Sequence, residues 1–375
     1  MEDLQKEQVY YIQWLTSNYE LFGKLQRRIL EAYPDPREIF QVSKERWEEL
    51  LPEKQAGLIW KRCQAESFAA MQEQYEKLLE QGILYVAHGQ EEYPKRLNEI
   101  PDPPLGLYYR GRLPDGDSLS VAVIGSRDCS EYGSYVARRL GTYLGEQGVP
   151  VISGMARGID GISQQAALEA GGDSFGVLGC GVDVCYPQSN QRLYQTLMGQ
   201  GGILSEYPPG IQPIARNFPA RNRIVSGLAM AVVVVEAALK SGTSITVSMA
   251  LEQGREVYVV PGRITDRLSD GCNRLIKQGA AVYTDPEGVL EELQETYFLQ
   301  HISPTKKKTK KAKAPDIREE LLSIWKQLEH TPKTVEEILN GLADPISVQD
   351  CTIKLMELVL LGHAKQVSAG HFCKA

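Results

Sequence analysis

Short apolar segments that end in glycine or small polar residues recur through the middle of the chain. They are VAVIGSR (121–127), VISGMARGID (151–160), FGVLGCGVD (175–183), GILSE (202–206), AVVVVEAALKSGTS (231–244) and VYVVPGRITD (257–266). The segments between them have apolar residues at helical spacing, such as Val136, Leu140 and Leu144. The run from Met230 to Val235 is apolar on both faces of a strand, as a central parallel strand requires. The pattern predicts an α/β fold with an extended Rossmann-like, doubly wound and mostly parallel sheet.

The predicted strands also end in similar residues, namely glycine and small polar residues. The first of them stops in Gly125, Ser126 and Arg127. Glycine lets backbone N–H groups approach an anion and arginine offers two parallel donors, so this turn fits a phosphate, although it also fits a plain strand-to-helix turn. In a parallel sheet such turns meet at one edge, where open α/β sheets bind ligands. Their repetition favours a phosphate-binding crevice at that edge.

The residues before the predicted sheet follow a different pattern. Residues 1–80 carry apolar and aromatic residues at helical spacing, interrupted by Pro34 and Pro36, which predicts a small helical domain. Residues 81–120 are rich in proline, which favours extended backbone, and we interpret them as a connector leading into the sheet. The sheet domain itself is predicted over residues 121–300.

The residues after the predicted sheet divide into a linker and a last domain. KKKTKKAK at 306–313 is typical of a linker, which we place at 301–315. Residues 316–375 predict a winged-helix domain with two short extended runs after three helices, around 316–328, 334–340 and 347–360. From Asp316 onward nine acidic and six basic residues give a net charge of −3, which opposes a DNA backbone. A role in protein contacts or dimer support is at least as well favoured for this domain as DNA reading.

Length and composition restrict the class of protein. A chain of 375 residues fits two or three domains. No segment approaches the roughly 20 apolar residues of a membrane span, and the N-terminus lacks a signal-peptide pattern, so we expect a cytoplasmic protein without a membrane partner. The seven cysteines form no C-x2-C pair, which suits reduced thiols better than disulfides or zinc. We therefore expect no metal and no cofactor.

The charge balance limits how the chain could bind nucleic acid. With 41 Lys and Arg against 48 Asp and Glu, the net charge of −7 argues against coating nucleic acid over the whole surface. A local groove stays open, because NFPARNR (217–223) combines Phe218 with Arg221, Asn222 and Arg223. An aromatic ring among cations is the composition of a single-strand site, although such arginines also occur on solvated or salt-bridged faces.

Taken in order, these motifs resemble the family of DNA-processing protein A, also called DprA or Smf. The resemblance covers about residues 92–285 and rests on YPKRLNEIPDPPLGLYYRG, AVIGSR, VISGMARGID, VLGCGVDVCYP, LSEYPPG, NFPARNRIVSGLA, VVVVEAALKSGTSIT, GREVYVVPG and SDGCNRLIKQGA. The N-terminal helices occupy the place of the family's sterile-alpha-motif-like or helix-hairpin-helix-like domain. The C-terminal segment is similar to the winged helix that many members carry.

The resemblance implies a non-enzymatic protein that binds single-stranded DNA in natural transformation and recombination. Such a protein protects incoming strands, helps RecA load onto them and acts as a homodimer, with no catalytic residues. The phosphate-binding role falls on Gly125, Ser126, Arg127, Ser153, Gly154, Lys240, Ser241 and Gly242. Base stacking and the order of the pocket fall on Phe218, Arg221, Asn222 and Arg223.

Two departures from the family pattern bear on these roles. Members commonly carry a histidine in the helix after Gly-Ile-Asp, where this chain has Gln164, so a titrating group is not expected at that position. The N-terminal region also lacks a clear Gly-x-Gly hairpin, which leaves DNA binding by that region without support.

Two enzymatic interpretations compete with this one. A Rossmann-like crevice with Arg127 and Glu236 could hydrolyse a nucleoside monophosphate, as phosphoribohydrolases of related fold do. The Pro-Gly-Gly-x-Gly-Thr run of those enzymes is missing here, since Pro261-Gly262 is followed by Arg263. A nicotinamide oxidoreductase would need the G-x-G-x-x-G fingerprint and an acidic ribose contact, and both are missing. The single-strand binder is the favoured interpretation.

Overall fold

Two compact units make up the part of the chain that the structure describes. A computed structural model describes residues 2–297, 317–329, 332–342 and 346–374. One unit contains Met1–Asp128 and Ala137–Thr305, and the other contains Cys129–Val136 and Lys306–Ala375. The predicted lysine-rich linker, 301–315, lies outside the described residues.

The N-terminal region is helical, as its apolar spacing predicts. Its helices are α1 (Glu2–Thr16), α2 (Lys24–Ala32), α3 (Lys44–Leu50), α4 (Glu53–Ala65) and α5 (Phe68–Glu80), with 3₁₀ turns at Tyr19–Leu21 and Glu38–Gln41. Trp14, Ile29 and Trp47 are fully buried at the centre of these helices. The helices belong to the same compact unit as the large sheet, so the boundary predicted at residue 80 stays a prediction.

The large sheet has nine strands among the described residues. They are β1 (Leu84–Ala87), β2 (Gly106–Gly111), β3 (Val121–Ile124), β4 (Val151–Ser153), β5 (Ser174–Val177), β6 (Gly201–Ser205), β7 (Ala231–Val234), β8 (Glu256–Val259) and β9 (Ala281–Val282). Their order is β1-β2-β6-β5-β4-β3-β7-β8-β9. The pairs from β6 to β9 are parallel. The predicted α/β class with a mostly parallel sheet is confirmed.

The predicted connector does more than lead into the sheet. Residues 81–120 contain β1 and β2, which pair with each other and with β6 in antiparallel direction. Hydrogen bonds tie the N-terminal helices to these strands, since Thr16 Oγ1 lies 2.8 Å from Tyr85 Oη and Gln13 Nε2 donates to Tyr108 Oη at 3.3 Å. The predicted connector therefore supplies the two strands at one edge of the large sheet.

Seven further helices in the described ranges accompany the strands. They are α6 (Glu131–Glu146), α7 (Ile159–Glu169), α8 (Gln191–Gly199), α9 (Asn217–Leu228), α10 (Thr243–Glu252), α11 (Asp270–Lys277) and α12 (Pro286–Thr296), with 3₁₀ turns at Lys95–Glu99 and Gln188–Asn190. From β3 the chain proceeds to β4, β5 and β6 on one side, whereas β7, β8 and β9 lie on the other side. The strand order therefore reverses beside β3, and a crevice is expected there.

The C-terminal residues form a separate core. The elements are α13 (Glu319–Gln327), β10 (Lys333–Thr334), α14 (Val335–Asn340), α15 (Val348–Leu360), β11 (Ala364–Ser368) and β12 (His371–Lys374). The three strands form an antiparallel sheet in the order β10-β12-β11. Leu321, Ile338 and Phe372 are buried between helices and sheet. Three helices and a hairpin follow the predicted order with one added strand, β10, and the winged-helix assignment stays a prediction.

Candidate functional site

A cleft of about 610 Å³ lies at the carboxyl ends of β3, β4 and β7, where the strand order reverses. It is lined by Gly125, Ser126 and Arg127 after β3, by Gly154, Ala156 and Asp160 after β4, by Ser241, Gly242 and Thr243 after β7, and by Phe218, Pro219, Arg221 and Asn222 of α9. The volume is within the range of about 300–1,000 Å³ that is usual for small-ligand sites. The predicted convergence of the glycine-rich turns on one edge is thus observed.

The turn after β3 requires glycine for a steric reason. A Cβ atom on Gly125 would lie 2.7 Å from Ile159 Cγ1 and 3.0 Å from the Glu236 carbonyl oxygen. The Ile159 N–H donates to the Ser126 carbonyl oxygen at 3.2 Å. Because the turn packs directly on the start of α7, Ser126 and Arg127 are held at the opening of the cleft.

Phe218 forms a wall between this cleft and a smaller one of about 230 Å³. Its ring is half-buried and lies 5.5 Å from the ring of Tyr186, centroid to centroid. The guanidinium carbon of Arg127 lies 5.6 Å from the Phe218 ring centroid, which is a cation–π distance. An aromatic face and an exposed cation therefore stand together at the opening of both clefts.

The floor of the cleft is an internal network around Arg221. Arg221 is 5% exposed, and its Nη1 donates to the carbonyl oxygens of Gly154, at 2.8 Å, and of Val177. Asp160 is nearby, and its carboxylate accepts the Gly154 N–H at 3.1 Å. Burial raises the pKa of Asp160 and lowers that of Arg221, while their mutual attraction opposes both shifts. Arg221 borders the cleft, and its Nη1 is used within the protein, whereas its buried Nε has no hydrogen-bond partner among the described residues.

Two of the predicted DNA contacts lie in the protein interior instead. Ser153 is fully buried, and its hydroxyl donates to the Val123 carbonyl oxygen at 2.6 Å. Arg223 donates to Glu206 Oε1 at 2.7 Å and to Asp102 Oδ2 at 3.1 Å. Burial by itself would lower the pKa of Arg223, but the Glu206 carboxylate raises it overall. Neither side chain lines the cleft, because the first is used in the strand pairing and the second in an ion pair.

The turn after β7 presents a different set of groups. Lys240 is exposed on this turn but does not line the cleft, whereas Ser241 and Gly242 do. The Ser241 hydroxyl is buried and has no hydrogen-bond partner among the described residues. Gly242 is the N-cap residue of α10, whose first turn also lines the cleft. A helix N-terminus favours anions, so this side of the cleft is suited to a phosphate.

Gln164 has a structural role in the interior. Its Oε1 accepts the Met155 N–H at 3.1 Å, and its Nε2 donates to Ser174 Oγ at 3.2 Å and to the Phe175 carbonyl oxygen at 3.1 Å. Met155 adopts a left-handed backbone with φ 54°, which a residue other than glycine rarely does. Gln164 thus holds the turn after β4 through neutral hydrogen bonds.

Sequence reasoning missed several residues of the cleft. Asp160 and Tyr186 line it, as do Thr243 and Thr246 of α10. Asp160 could have been identified from its position two residues after Gly158, at the start of the helix that follows the turn. Tyr186 carried no signal, because its contact with Phe218 joins residues far apart in the chain.

Membrane spans and metal-binding clusters are both missing from the described ranges. These ranges contain no helix long and apolar enough to cross a membrane. Within the same residues, no group of three or more His, Cys, Asp or Glu side chains could hold a metal ion.

Comparison with known proteins relates this arrangement to a family. Residues 84–294 match the model of the family described as DNA recombination-mediator protein A. The Protein Smf of Escherichia coli K12 is 41% identical over 287 residues, which are 75% of this chain and 75% of that protein. The DNA processing protein DprA of Streptococcus pneumoniae is 45% identical over 202 residues, or 54% of this chain and 71% of that protein.

Two solved structures extend the comparison. The X-ray structure of DprA from Streptococcus pneumoniae has a TM-score of 0.64 and 34% identity, covering 76% of this chain and 97% of that one. A structure concerned with the single-stranded DNA binding mode of DNA processing protein A from Helicobacter pylori has a TM-score of 0.50 and 32% identity, covering 56% and 96%. The chain belongs to the DNA recombination-mediator protein A family, which includes these DprA and Smf proteins.

Proposed function

We propose that this protein is a non-enzymatic binder of single-stranded DNA that acts in the cytoplasm as a homodimer. In natural transformation and recombination it protects incoming strands and assists the loading of RecA. The observation that carries the proposal is the position of Phe218, whose ring separates two clefts beneath the Arg127 guanidinium. The Helicobacter relative, whose structure concerns single-stranded DNA, supports the same ligand.

The geometry suits a single strand because it combines two kinds of contact. Unstacked bases gain about 1–3 kcal/mol each on an aromatic face, without regard to sequence. Phosphates meet Arg127, the N-terminus of α10 and the Ser241 hydroxyl, which has no partner among the described residues. A duplex keeps its bases stacked on one another, so it cannot use the Phe218 ring. We expect a preference for single strands with little sequence preference.

The alternative function, hydrolysis of a nucleoside monophosphate, has weaker support. Glu236, the carboxylate which it would use, is 2% exposed and is not among the residues that line the cleft. Asp160 does line the cleft, but it is bound to the Gly154 N–H and faces Arg221. Release of ribose 5-phosphate from nucleotides by the purified protein would favour the enzyme over the binder.

The experiment separates charge from stacking within the cleft. Fluorescence titrations with oligonucleotides of increasing length, at several salt concentrations, measure affinity and salt slope. Arg127→Ala or Lys240→Ala should weaken all sequences alike and reduce the slope by roughly 0.7 for each phosphate that is no longer neutralised. Phe218→Ala should cost about 1–3 kcal/mol and leave the slope nearly intact.

The outcomes of this experiment are distinct. Equal affinity of the unaltered protein for duplex and single strand, or a flat salt response, contradicts the proposed function. Indistinguishable slopes for the three variants contradict the separate roles of the residues. Circular dichroism and thermal unfolding of Phe218→Ala serve as the folding control, because this ring is half-buried.

The homodimer has its own support at one edge of the large sheet. Among the described strands β9 is terminal, and Val282 in it is 46% exposed. A sheet edge with an apolar side chain is a surface on which chains pair. Val282→Lys should shift the mass measured by light scattering from two chains to one, whereas an unchanged mass would exclude this edge. RecA assistance is tested by the rate of RecA filament formation on strands already bound by this protein.

A further inference from the structure

We infer that Tyr19, in the 3₁₀ turn between α1 and α2, is a positioning residue for the single-strand site. Its hydroxyl holds the start of α9, and with it Phe218, through Asn217. This inference rests on the proposed function and assigns the N-terminal helices a part in that function. They set the position of the stacking ring and need not touch DNA themselves.

The contact between Tyr19 and α9 is direct. The Tyr19 hydroxyl donates to Asn217 Oδ1 at 2.7 Å, the usual distance for an O–H···O hydrogen bond. Asn217 is 2% exposed and is the first residue of α9, so its side chain has no access to water that could replace this bond. Removing the hydroxyl therefore leaves a buried amide oxygen without its donor.

Asn217 in turn fixes the surroundings of the Phe218 ring. Its Nδ2 donates to the Gly179 carbonyl oxygen at 3.0 Å. Gly179 lies against the ring, since a Cβ atom on it would be 3.0 Å from Phe218 Cδ1. The side chain of Asn217 thus connects Tyr19 to the residue that supports the neighbouring ring. A change at Tyr19 reaches the cleft through two hydrogen bonds.

Aromatic packing places the Tyr19 hydroxyl where Asn217 can accept from it. Phe22 stacks on Tyr207 with centroids 4.7 Å apart, and Tyr19 meets Tyr207 at 6.0 Å. The Tyr207 hydroxyl donates to the Asn217 carbonyl oxygen at 3.2 Å. Two tyrosines from different parts of the chain therefore hold the same asparagine. The rings remain packed when only the Tyr19 oxygen is removed.

Arg216 also contacts Tyr19, and the experiment must distinguish an effect through Arg216 from an effect through Asn217. Its guanidinium lies 5.4 Å from the Tyr19 centroid, and its Nε and Nη2 donate to the hydroxyl at 3.4 and 3.3 Å. If Arg216 were the path to DNA, removal of the hydroxyl would displace a cation from its phosphate and reduce the salt slope. A path through Asn217 and Phe218 leaves the slope unchanged.

The test uses Tyr19→Phe in the full chain, with Tyr10→Phe as the matched control. Tyr10 belongs to the same helical region, where its ring packs edge-on against Phe68 and Tyr75. Oligonucleotide affinity and salt slope are measured for both variants, alone and combined with Phe218→Ala. Hydrogen exchange of the peptide covering 214–222 is followed without DNA.

Tyr19→Phe should weaken single-strand binding about fivefold, the equivalent of one hydrogen bond, with the salt slope unchanged. The unfolding temperature should fall by a few degrees, because the buried Asn217 amide oxygen loses its donor. In the Phe218→Ala background it should cause no further weakening, and the exchange of 214–222 should accelerate. Tyr10→Phe should change neither the oligonucleotide affinity nor the hydrogen exchange of 214–222. An affinity equal to that of the control, an equal weakening in both backgrounds, or a slope reduced by roughly 0.7 overturns the inference.

Failure of the inference is distinguishable from failure of the proposed function. If the unaltered protein binds no oligonucleotide, the proposed function is wrong, and the exchange measurement still decides whether the Tyr19 hydroxyl holds the start of α9. Unchanged exchange then overturns the inference as well.

Discussion

Arg223 and Arg127 provide a matched pair of arginines with opposite expected behaviour. Arg127 is exposed at the opening of the cleft, whereas the Arg223 side chain is 11% exposed and paired with Glu206, whose side chain is also 11% exposed. We predict that Arg223→Ala destabilises the protein and leaves the salt slope of DNA binding unchanged. Arg127→Ala should do the reverse. The two substitutions remove the same atoms, so side-chain size cannot explain a difference.

The magnitude follows from the hydrogen bonds that Arg223 makes. It donates to Glu206 at 2.7 Å, to the Asp102 carbonyl oxygen at 2.9 Å and to the Ala220 carbonyl oxygen at 3.0 Å. Its removal leaves the Glu206 carboxylate buried without a cation, which costs about 3–5 kcal/mol. At about 2–4 °C per kcal/mol, the unfolding temperature should fall by roughly 6–20 °C. Arg127→Ala should stay within about 0.5 kcal/mol.

Calorimetry and oligonucleotide titration at several salt concentrations are the two assays. Because Arg223→Ala leaves Glu206 unpaired, the double variant Arg223→Met with Glu206→Met is measured too, and it should recover most of the stability. The reasoning is refuted if Arg223→Ala keeps its unfolding temperature while its salt slope falls by roughly 0.7. That result would return Arg223 to the DNA-contacting role suggested by the sequence.

Three other substitutions or truncations test separate parts of the structure. Gln164→Ala should lower the unfolding temperature, since it removes the bonds that hold Met155, and thermal unfolding at several pH values should show the same decrease throughout. Ser241→Ala should leave the unfolding temperature unchanged, because its hydroxyl is unpaired among the described residues, but should weaken oligonucleotide binding about fivefold by titration. Truncation after Gln300 should keep most of the oligonucleotide affinity at moderate salt and lose only a salt-sensitive part of it. Replacement of the six lysines at 306–313 by serine in the full chain should reproduce that loss. If truncation abolishes binding while the lysine replacement leaves the affinity unchanged, the C-terminal domain is a DNA-binding module.

The separation of the arginines in NFPARNR shows what the sequence could and could not predict. Composition alone treats Arg221, Asn222 and Arg223 alike. In a helix each residue turns by about 100°, so Arg221 and Asn222 lie within about 60° of Phe218, whereas Arg223 points about 140° away. Helical periodicity from Asn217 would have placed Arg223 on the opposite face. The ion pair of Arg223 with Glu206 could not be predicted from the sequence, because that contact depends on the fold.

In the sheet, too, some strands could be predicted from the sequence and others could not. The parallel strands from β3 to β8 were predictable, since each is an apolar run closed by glycine or a small polar residue. β1 and β2 were not, because they lie in a proline-rich segment and pair in antiparallel direction, β2 with the sequence-distant β6. The convergence of the turns followed from the parallel direction, whereas the internal use of Ser153 depended on neighbouring strands. Local pattern predicts elements and sheet edges, and tertiary pairing decides which side chains remain for a ligand.

The distribution of charge in the cleft also determines how affinity must be built. Arg221 and Arg223 make hydrogen bonds within the protein, so Arg127 and Lys240 are the cationic residues among the predicted contacts that stay exposed. Two phosphate contacts give a salt slope of about −1.4 for one protomer, which is modest for a nucleic-acid binder. Stacking on Phe218 adds about 1–3 kcal/mol for a base. High affinity therefore requires two clefts on one strand, and in the proposed homodimer a linked second site raises affinity by about 10²–10⁴. Oligonucleotides too short to reach both clefts should bind that much more weakly, and an affinity independent of length would show that one cleft acts alone.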